Sequence, residues 1–419
     1  MQEEEHTQTV TFFYHPHELS LKGKNRAHFE DVLSQNIRQL LKAAGVQNIK
    51  IEKITGRHFV TVPIEYEMQL AEVSPRIFGI ANYGHCISCS RDVEVLKSKV
   101  IENVKEILDK HPINSFRVET SRVDKRYPLT SQDVSKEIGT VVHEGLNIPV
   151  NLTQPELTIK IEILNDKFVF YTERLPGAKG LPIHTSGHVA CLLSGGFDSP
   201  VASWLMMRRG CSVTYIHFHS SPYGEWRSSV SKIRKIVQQL SLYGGPTKFY
   251  SVAIGESQRI IATKAPAKLR ITLYRRLMMR IAKEIAEKHK CLALATGDSL
   301  GQVASQTIES MTTIQSVIQP MLIMRPLLGF CKEEIMERAK EIGTYDISIL
   351  PGGDCCSHML PKNVATKPSM NNAEEGEKNL DLKAMVESAI NGAQIIDINE
   401  PWNEDENETG AACPFTFQE

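Results

Sequence analysis

The chain has 419 residues, enough for two or three domains, and its 41% hydrophobic and 23% charged residues are typical of a soluble globular protein. The formal net charge of −1 is unevenly distributed: residues 371–419 carry twelve acidic and two basic side chains, which leaves +9 on residues 1–370. The acidic start MQEEEHTQ, the absence of a long apolar run and nine scattered cysteines argue against a secretory signal, a membrane span and a disulfide scaffold. We therefore expect a cytoplasmic protein with a moderately basic body and a loosely ordered acidic tail.

The N-terminal half of the sequence predicts two small α/β units. In the first, over residues 1–68, we expect a strand at 9–14, a helix at 25–44 and two strands at 49–54 and 58–62. In the second, over residues 69–174, the pattern predicts a helix at 97–108, a strand at 115–120 and a helix at 132–144. Residues 175–188, rich in Pro and Gly, are predicted to be a linker.

Strands and helices alternate from residue 189 onward. The expected strands lie at 191–193, 213–218, 249–254, 292–295 and 321–324. The expected helices lie at 201–209, 230–240, 269–289 and 332–342. This alternation predicts an α/β domain over residues 189–369 with a doubly wound parallel sheet, whose ligands bind at the carboxyl ends of the strands. Residues 370–419 are assigned to the acidic tail, in which residues 380–390 are a candidate short helix.

The sequence SGGFDS at residues 194–199 follows the first of these strands and opens a helix. Paired glycines let backbone N–H groups approach a phosphate, and the start of a helix favours its negative charge. The spacing is not that of a Walker A loop, because no Gly-Lys-Ser/Thr follows. The segment is similar to the PP-loop, SGGxDS, of ATP pyrophosphatases, which adenylate a carbonyl oxygen and release pyrophosphate.

Two cysteine pairs differ in context. Cys355 and Cys356 are adjacent in a polar, Gly-rich segment after the last expected strand. Such a segment suits an exposed thiolate or persulfide nucleophile, although adjacent buried cysteines also arise by chance. Cys86 and Cys89 form a lone CxxC, which is weak support for a metal, and we interpret that pair as structural. No metal site is predicted from protein ligands alone.

Basic side chains in the N-terminal half are candidates for contact with the phosphates of a polyanion such as a nucleic acid, because Lys and Arg on phosphates fix the register of a nucleic acid without reading its sequence. For each of them the alternative is an ordinary solvated face. The candidates are Lys22, Lys24, Arg26, Arg57, Lys125 and Arg126.

Several motifs together resemble the tRNA 4-thiouridine synthetase (ThiI) family, and the resemblance covers nearly the whole chain. They are ELSLKGKNRAHFE, FRVETSRVDKRYPLTS, LPGAKGLPIHTSGHV, LLSGGFDSPVASWLMMRRG, YIHFHSSPY, TGDSLGQVASQTIESM, GTYDISILPGGDCC and KNVATKP. The resemblance implies an N-terminal ferredoxin-like domain, a THUMP RNA-binding domain and a PP-loop ATP pyrophosphatase domain, in that order.

The resemblance also implies roles for individual residues. Catalytic roles are implied for Asp198, Lys332 and Cys355, with Cys356 as a second thiol. An ATP site is implied at Leu192, Leu193, Ser194, Gly195, Gly196, Ser199, His217, Phe218, Arg275, Gly297 and Gln306. Cys331 departs from the family, which usually has Asp before the lysine.

The implied reaction uses ATP and Mg²⁺ to adenylate O4 of a tRNA uridine, position 8 in this family. A persulfide supplied by a cysteine desulfurase and carried on Cys355 then attacks C4. Many relatives carry a C-terminal rhodanese domain, for which this tail is too short, so we expect tRNA thiolation rather than the thiamine role. Cys413 is a candidate substitute thiol. A homodimer, a ligase with a nitrogen nucleophile and a non-catalytic tRNA-binding paralogue stay open.

Overall fold

The computed structural model of the chain describes residues 8–54, 56–224, 226–351 and 365–402. It divides into two compact units, one ending at Leu181 and one beginning at Pro182. No helix in these described ranges has the length and apolar character needed to cross a membrane.

The first unit contains nine strands and four α-helices in its described part. In chain order they are β1 (Thr9–Pro16), α1 (Arg26–Ala43), β2 (Lys50–Ile54), β3 (Arg57–Pro63), α2 (Glu67–Val73), β4 (Ile80–His85), β5 (Ile87–Cys89), α3 (Val93–Lys110), β6 (Phe116–Arg122), α4 (Ser131–Leu146), β7 (Leu157–Ile163), β8 (Phe168–Tyr171) and β9 (Leu175–Pro176). A short 3₁₀ helix, Glu18–Asn25, precedes α1.

Two sheets organise this unit. The first has the order β2-β3-β1-β4-β9 and is antiparallel throughout. Helix α1 covers it because Phe29, Leu33, Ile37 and Leu41 recur at intervals of four residues and are buried. The second sheet has the order β5-β8-β7-β6, with β6 and β7 parallel, and packs against the apolar faces of α3 and α4.

The sheet pairings bear on the expected boundaries. Strands β4 and β9 both pair within the first sheet, although β4 lies in the residues assigned to the second domain and β9 in those assigned to the linker. We accordingly place the end of the first sheet domain after His85, with β9 returning to it. Cys86 and Cys89 are free and buried, each in a different apolar cluster. Burial raises the pKa of the Cys86 thiol to about 12 and that of Cys89 to about 11, in keeping with the structural interpretation.

The second unit alternates strands and helices from its first strand. Its elements are β10 (His188–Leu192), α5 (Asp198–Arg208), β11 (Ser212–His219), α6 (Trp226–Ser241), β12 (Lys248–Ala253), α7 (Gly255–Lys264), α8 (Arg270–Lys288), β13 (Ala293–Ala295), α9 (Ile308–Gln315), β14 (Leu322–Met324), α10 (Lys332–Glu341), α11 (Tyr345–Ser348), α12 (Met370–Glu377), α13 (Leu382–Asn391) and β15 (Gln394–Asp397).

The sheet of this unit has the order β14-β13-β10-β11-β12-β15. Its first five strands are parallel, which confirms the expected doubly wound fold. Strand β10 lies between β11 on one side and β13 on the other, so the chain changes direction across the sheet at β10. A crevice for a ligand is expected at that switch point, beyond the carboxyl end of β10.

The expectation of a loosely ordered acidic tail is wrong for residues 370–398. Helices α12 and α13 pack against α8, and β15 adds an antiparallel edge strand beside β12. The physical reason is Glu377, which is buried and accepts hydrogen bonds from both Arg276 and Arg280 on α8. A carboxylate that the sequence assigns to the acidic tail therefore pairs with two arginines of α8, one of them buried. Cys413 lies outside the described residues.

Candidate active site

The SGG loop leaves the carboxyl end of β10 and leads directly into α5. The hydroxyl oxygen of Ser199 accepts the Ser194 N–H at 2.7 Å and donates to the Ser194 carbonyl at 3.1 Å. The two serine hydroxyls lie 3.0 Å apart. These contacts close the loop into a tight turn at the start of a helix, where backbone N–H groups attract an anion.

Gly297, just past the end of β13, lies against the first turn of α5. A Cβ at this position would lie 2.7 Å from the Ser199 nitrogen and 2.8 Å from the Asp198 carbonyl carbon. Both are main-chain atoms, so no side chain can move aside to make room. The absence of a side chain at Gly297 therefore permits the close approach that puts the loops after β10 and β13 side by side.

A cavity of about 320 Å³ opens between these two loops. The size is that of a small-ligand pocket. Its apolar wall is formed by strands β10 and β11 and by helix α8, and the opposite wall by the loop after β13. The lining residues are Leu192, Leu193, Ser194, Asp198, Ser199, Ile216, Phe218, Ile271, Arg275, Met278, Met279, Thr296, Gly297, Asp298, Gln302, Val303, Ser305 and Gln306.

Asp198, the first residue of α5, is held by two side chains from distant parts of the domain. The Lys332 ammonium donates to its Oδ1 at 2.9 Å, and the Gln302 amide donates to its Oδ2 at 3.2 Å. Lys332 also lies 5.2 Å from the centre of the Phe197 ring. The sequence-predicted pair of Asp198 and Lys332 is thus in direct contact, with Lys332 at the edge of the cavity rather than in its lining.

Arg275 is fixed by a buried carboxylate on the far side of the cavity. It donates to Asp298 Oδ1 at 2.9 Å and to the Ser305 hydroxyl at 3.1 Å. Arg325 and Thr296 donate to the other oxygen of Asp298, at 3.3 and 2.7 Å. Burial acts to raise the pKa of Asp298, but Arg275 and these two partners outweigh it and hold the pKa below its ordinary value. The carboxylate is charged and keeps the arginine aimed along the cavity.

Two buried acceptors in this cavity have no partner in the described ranges of the chain, the side-chain oxygens Gln302 Oε1 and Gln306 Oε1. A buried acceptor without a donor costs about 1–3 kcal/mol. Both oxygens line the cavity, so a ligand carrying N–H or O–H donors would satisfy them. The amino group of adenine is such a donor.

The predicted ATP-site residues separate into two groups. Leu192, Leu193, Ser194, Ser199, Phe218, Arg275, Gly297 and Gln306 line the cavity, whereas Gly195, Gly196 and His217 do not. His217 is only 3% exposed, and its ring nitrogens lie 3.0 Å from the Leu193 carbonyl and 3.1 Å from the Ser229 hydroxyl. It therefore ties β11 to the base of the loop and to α6. Cys355 and Cys356 lie outside the described residues.

Sequence reasoning missed Asp298, Gln302 and Arg325. The first two belong to TGDSLGQVASQT, the segment that carries Gly297 and Gln306, so a signal was present. In the sequence, Asp298 is a charged residue directly after a glycine predicted to bind the ligand, which is a reason to suspect an ion pair. In the structure it is 3% exposed, as a paired charge is. Arg325 follows β14 in the sequence MRP and offered no comparable signal.

The predicted RNA-contacting residues also separate. Lys24, Arg26, Lys125 and Arg126 are exposed, and Lys22 is half-buried over the Phe29 ring. Arg57 instead pairs with Glu162, which is buried between the two sheets of the first unit beside His15 and Tyr171. Arg57 therefore neutralises a buried carboxylate, which limits its availability to a phosphate.

A parallel sheet with an SGG loop at its switch point, next to a pocket with unpaired acceptors, defines a nucleotide-binding domain of the PP-loop class. Comparison with known proteins agrees. Residues 184–382 match the family described as thiamine biosynthesis protein (ThiI), residues 12–84 match the ThiI ferredoxin-like domain, and residues 90–173 match the THUMP domain.

Two probable tRNA sulfurtransferases are similar over nearly their whole length. That of Brevibacillus brevis is 40% identical over 382 residues, covering 91% of this chain and 94% of the relative. That of Halothermothrix orenii is 39% identical over 389 residues, covering 91% and 97%. A crystal structure of a 4-thiouridine synthetase–RNA complex with bound ATP is 34% identical with a TM-score of 0.84, covering 93% of this chain and 99% of that one. The chain belongs to the ThiI family of tRNA sulfurtransferases, which confirms the resemblance and the expected domain order.

Proposed function

We propose that the protein is an ATP-dependent tRNA uridine 4-sulfurtransferase, which adenylates O4 of a uridine at position 8 and replaces that oxygen with sulfur. The observation that carries the proposal is the cavity at the SGG loop, where a phosphate-binding turn adjoins an apolar pocket with unpaired amide oxygens. The related structure contains ATP and RNA, which supports both substrates here.

At the phosphate end, the N–H groups of Gly195 and Gly196 and the hydroxyls of Ser194 and Ser199 would bind the triphosphate. The Lys332 ammonium adds positive charge where pyrophosphate leaves. Asp198 is the candidate ligand for Mg²⁺, because its side chain is partly exposed and pairs with one lysine, whereas Asp298 is buried between two arginines. One carboxylate plus substrate phosphates is an ordinary magnesium site. In the described ranges no cluster of three or more acidic, His or Cys side chains could hold a metal by itself.

At the other end of the cavity, Phe218, Ile216 and the methionines of α8 offer an apolar surface for the adenine ring. The Gln306 oxygen is placed to accept from its amino group. Arg275, whose direction is fixed by Asp298, is available to a phosphate or ribose oxygen. Nucleotide recognition thus uses one apolar wall and a few fixed polar groups.

Sulfur transfer follows activation. The O4 adenylate converts a poor leaving group into AMP, and a persulfide on Cys355 attacks C4 and displaces it. A second thiolate then attacks the Cys355 sulfur, forms a disulfide and releases 4-thiouridine. Cys356 and Cys413 are the candidate second thiols, and an external reductant restores both thiols.

The partners of this reaction are tRNA and a cysteine desulfurase that supplies the persulfide, and its compartment is the cytoplasm. The THUMP match supports RNA binding by the first unit, with Lys22, Lys24, Arg26, Lys125 and Arg126 as phosphate contacts. The six cysteines in the described residues are free thiols, as a reducing compartment requires.

The test incubates the purified chain with unmodified tRNA, ATP and a cysteine desulfurase with cysteine, and follows 4-thiouridine by its near-ultraviolet absorbance. We expect thionucleoside only when every component is present. Cys355→Ser is expected to abolish it while tRNA-dependent pyrophosphate release persists, and Cys331→Ser, an exposed thiol outside the cavity, serves as the control. If the wild type instead cleaves ATP and forms an aminated nucleoside with no 4-thiouridine, and still does so after removal of both Cys355 and Cys356, the result favours a nitrogen nucleophile.

A further inference from the structure

Lys232 is a buried lysine on α6 that has no role in the reaction proposed above. The residue is 8% exposed, and burial lowers the pKa of its ammonium. Within the described residues its ammonium has carbonyl partners and no carboxylate partner. A buried, unpaired cation is costly, and an apolar side chain of the same length would fill the space without that cost. Packing alone therefore does not explain why a lysine occupies this position.

The contacts of Lys232 join two parts of the site. Its ammonium donates to the carbonyl oxygens of Ser348 at 2.8 Å and Leu350 at 2.7 Å. Its stem lies against the SGG loop, because a Cβ on Gly195 would be 3.0 Å from its Cδ and 3.5 Å from its Nζ. One side chain thus touches both the phosphate-binding turn and the residues that follow α11.

Other contacts hold the same short segment. Ser228, one helical turn before Lys232, lies with its hydroxyl 3.5 Å from the Pro351 carbonyl. The Ser348 hydroxyl lies 3.4 Å from the Gly196 carbonyl. Residues 348–351 are thereby fixed to one face of α6 and to the SGG loop, and Cys355 follows Pro351 by four residues in the sequence.

We propose that Lys232 is a positioning residue for sulfur transfer, which sets where the chain that leads to Cys355 departs from the ATP site. The inference rests on the proposed function. Lys232 does not line the cavity, and its ammonium donates to the Ser348 and Leu350 carbonyls, so we expect its loss to affect sulfur transfer more than adenylation. Loss of its two carbonyl contacts displaces the start of the segment, and an error of about 1 Å in the approach of a reacting group costs up to ~100-fold in rate.

The experiment measures two products in one reaction, pyrophosphate and 4-thiouridine, for Lys232→Met and for Lys235→Met, an exposed lysine on the same helix. We expect Lys232→Met to lower 4-thiouridine formation about 10-fold or more while pyrophosphate release stays within about 3-fold, because the adenylate is lost to water. Lys235→Met is expected to match the wild type in both.

The ratio of the two products separates the outcomes. A parallel fall in both products, or no change in either, would overturn the positioning role. If Lys232→Met does not fold, Lys232→Arg is measured in its place, since arginine keeps the charge but not the single-nitrogen geometry. We expect Lys232→Arg to raise the ratio of pyrophosphate to 4-thiouridine about 3-fold. Failure of the proposed function is distinguishable, because the wild type itself would then yield no 4-thiouridine.

Discussion

Gly297→Ala tests the close approach on which the cavity depends. The added methyl carbon would lie 2.7 Å from the Ser199 nitrogen, 2.8 Å from the Asp198 carbonyl carbon and 2.9 Å from the Ser199 Cα, whereas ordinary contacts begin at 3.4 Å. The first turn of α5 must therefore retreat by about 0.7 Å or β13 must shift by as much. Asp198 moves with that turn, which alters its contacts with Lys332 and Gln302.

The structure sets the size of the effect. Overpacking of this kind costs about 1–3 kcal/mol of folding free energy, and a displacement approaching 1 Å at a reacting group costs ~10- to 100-fold in rate. We expect Gly297→Ala to weaken ATP binding and to lower tRNA-dependent pyrophosphate release by ~10-fold or more, measured by calorimetry and a coupled phosphate assay.

Gly329→Ala is the matched control. A Cβ at Gly329 meets nothing within 4 Å, and its backbone conformation is one that alanine adopts. We expect this variant to match the wild type in melting temperature, ATP affinity and turnover. If Gly297→Ala also matched the wild type in ATP affinity and turnover, the close approach would not be required and the reasoning would be refuted.

Three further substitutions test other parts of the account. Asp298→Asn removes a buried charge shared by two arginines and is expected to lower the free energy of unfolding by about 3 kcal/mol at pH 7, seen as a lower melting temperature. Because the folded-state pKa of Asp298 lies below its ordinary 3.8, its stabilising effect is present above pH 3.8 and is lost as the pH falls through the folded-state pKa. A wild type with the same free energy of unfolding above and below this range would contradict the argument. Glu377→Gln is expected to destabilise the second unit by about 2–4 kcal/mol, whereas the exposed Glu375→Gln changes stability by less than about 0.5, and equal melting of the two would contradict a core role for residues 370–398. Arg57→Ala is expected to lower the melting temperature, whereas Lys125→Ala is expected to leave it unchanged and to weaken tRNA binding. Thermal melting and titration of labelled tRNA measure the two effects. Weaker tRNA binding with an unchanged melting temperature for Arg57→Ala would show that Arg57 contacts the RNA.

The sequence was informative where local pattern and fold coincide. The apolar run before SGGFDS predicts a buried parallel strand, and in the structure β10 is the central strand at which the sheet changes direction. The alternation after it predicts the five parallel strands because each strand and helix carries its own periodicity. Of the folded C-terminal segment only a short helix at 380–390 was predicted, and α13 lies there. Strand β15 was not predicted, since it is four residues long and its stability depends on pairing with β12, about 145 residues earlier in the chain.

The site shows the same division. Ser194, Ser199 and Gly297 belong to short motifs whose backbone chemistry is local, and the structure brings them together. Lys232 was not predicted, because a lysine on an amphipathic helix is ordinarily solvated. Its burial results from contacts with residues more than a hundred positions away, which no local pattern encodes. His217, a motif residue expected at the nucleotide, lies outside the cavity lining and is hydrogen-bonded to Leu193 and Ser229, contacts that its motif did not predict.

The central claim is that ATP bound at the SGG loop activates a uridine carbonyl oxygen of tRNA. The most direct measurement uses tRNA whose target uridine carries a heavy oxygen isotope at O4, and analyses the AMP by mass spectrometry after a complete thiolation reaction. If O4 is adenylated and then displaced by sulfur, the AMP carries the isotope in proportion to the 4-thiouridine formed. Unlabelled AMP alongside 4-thiouridine would contradict the account, because sulfur would then have replaced O4 without its transfer to the nucleotide.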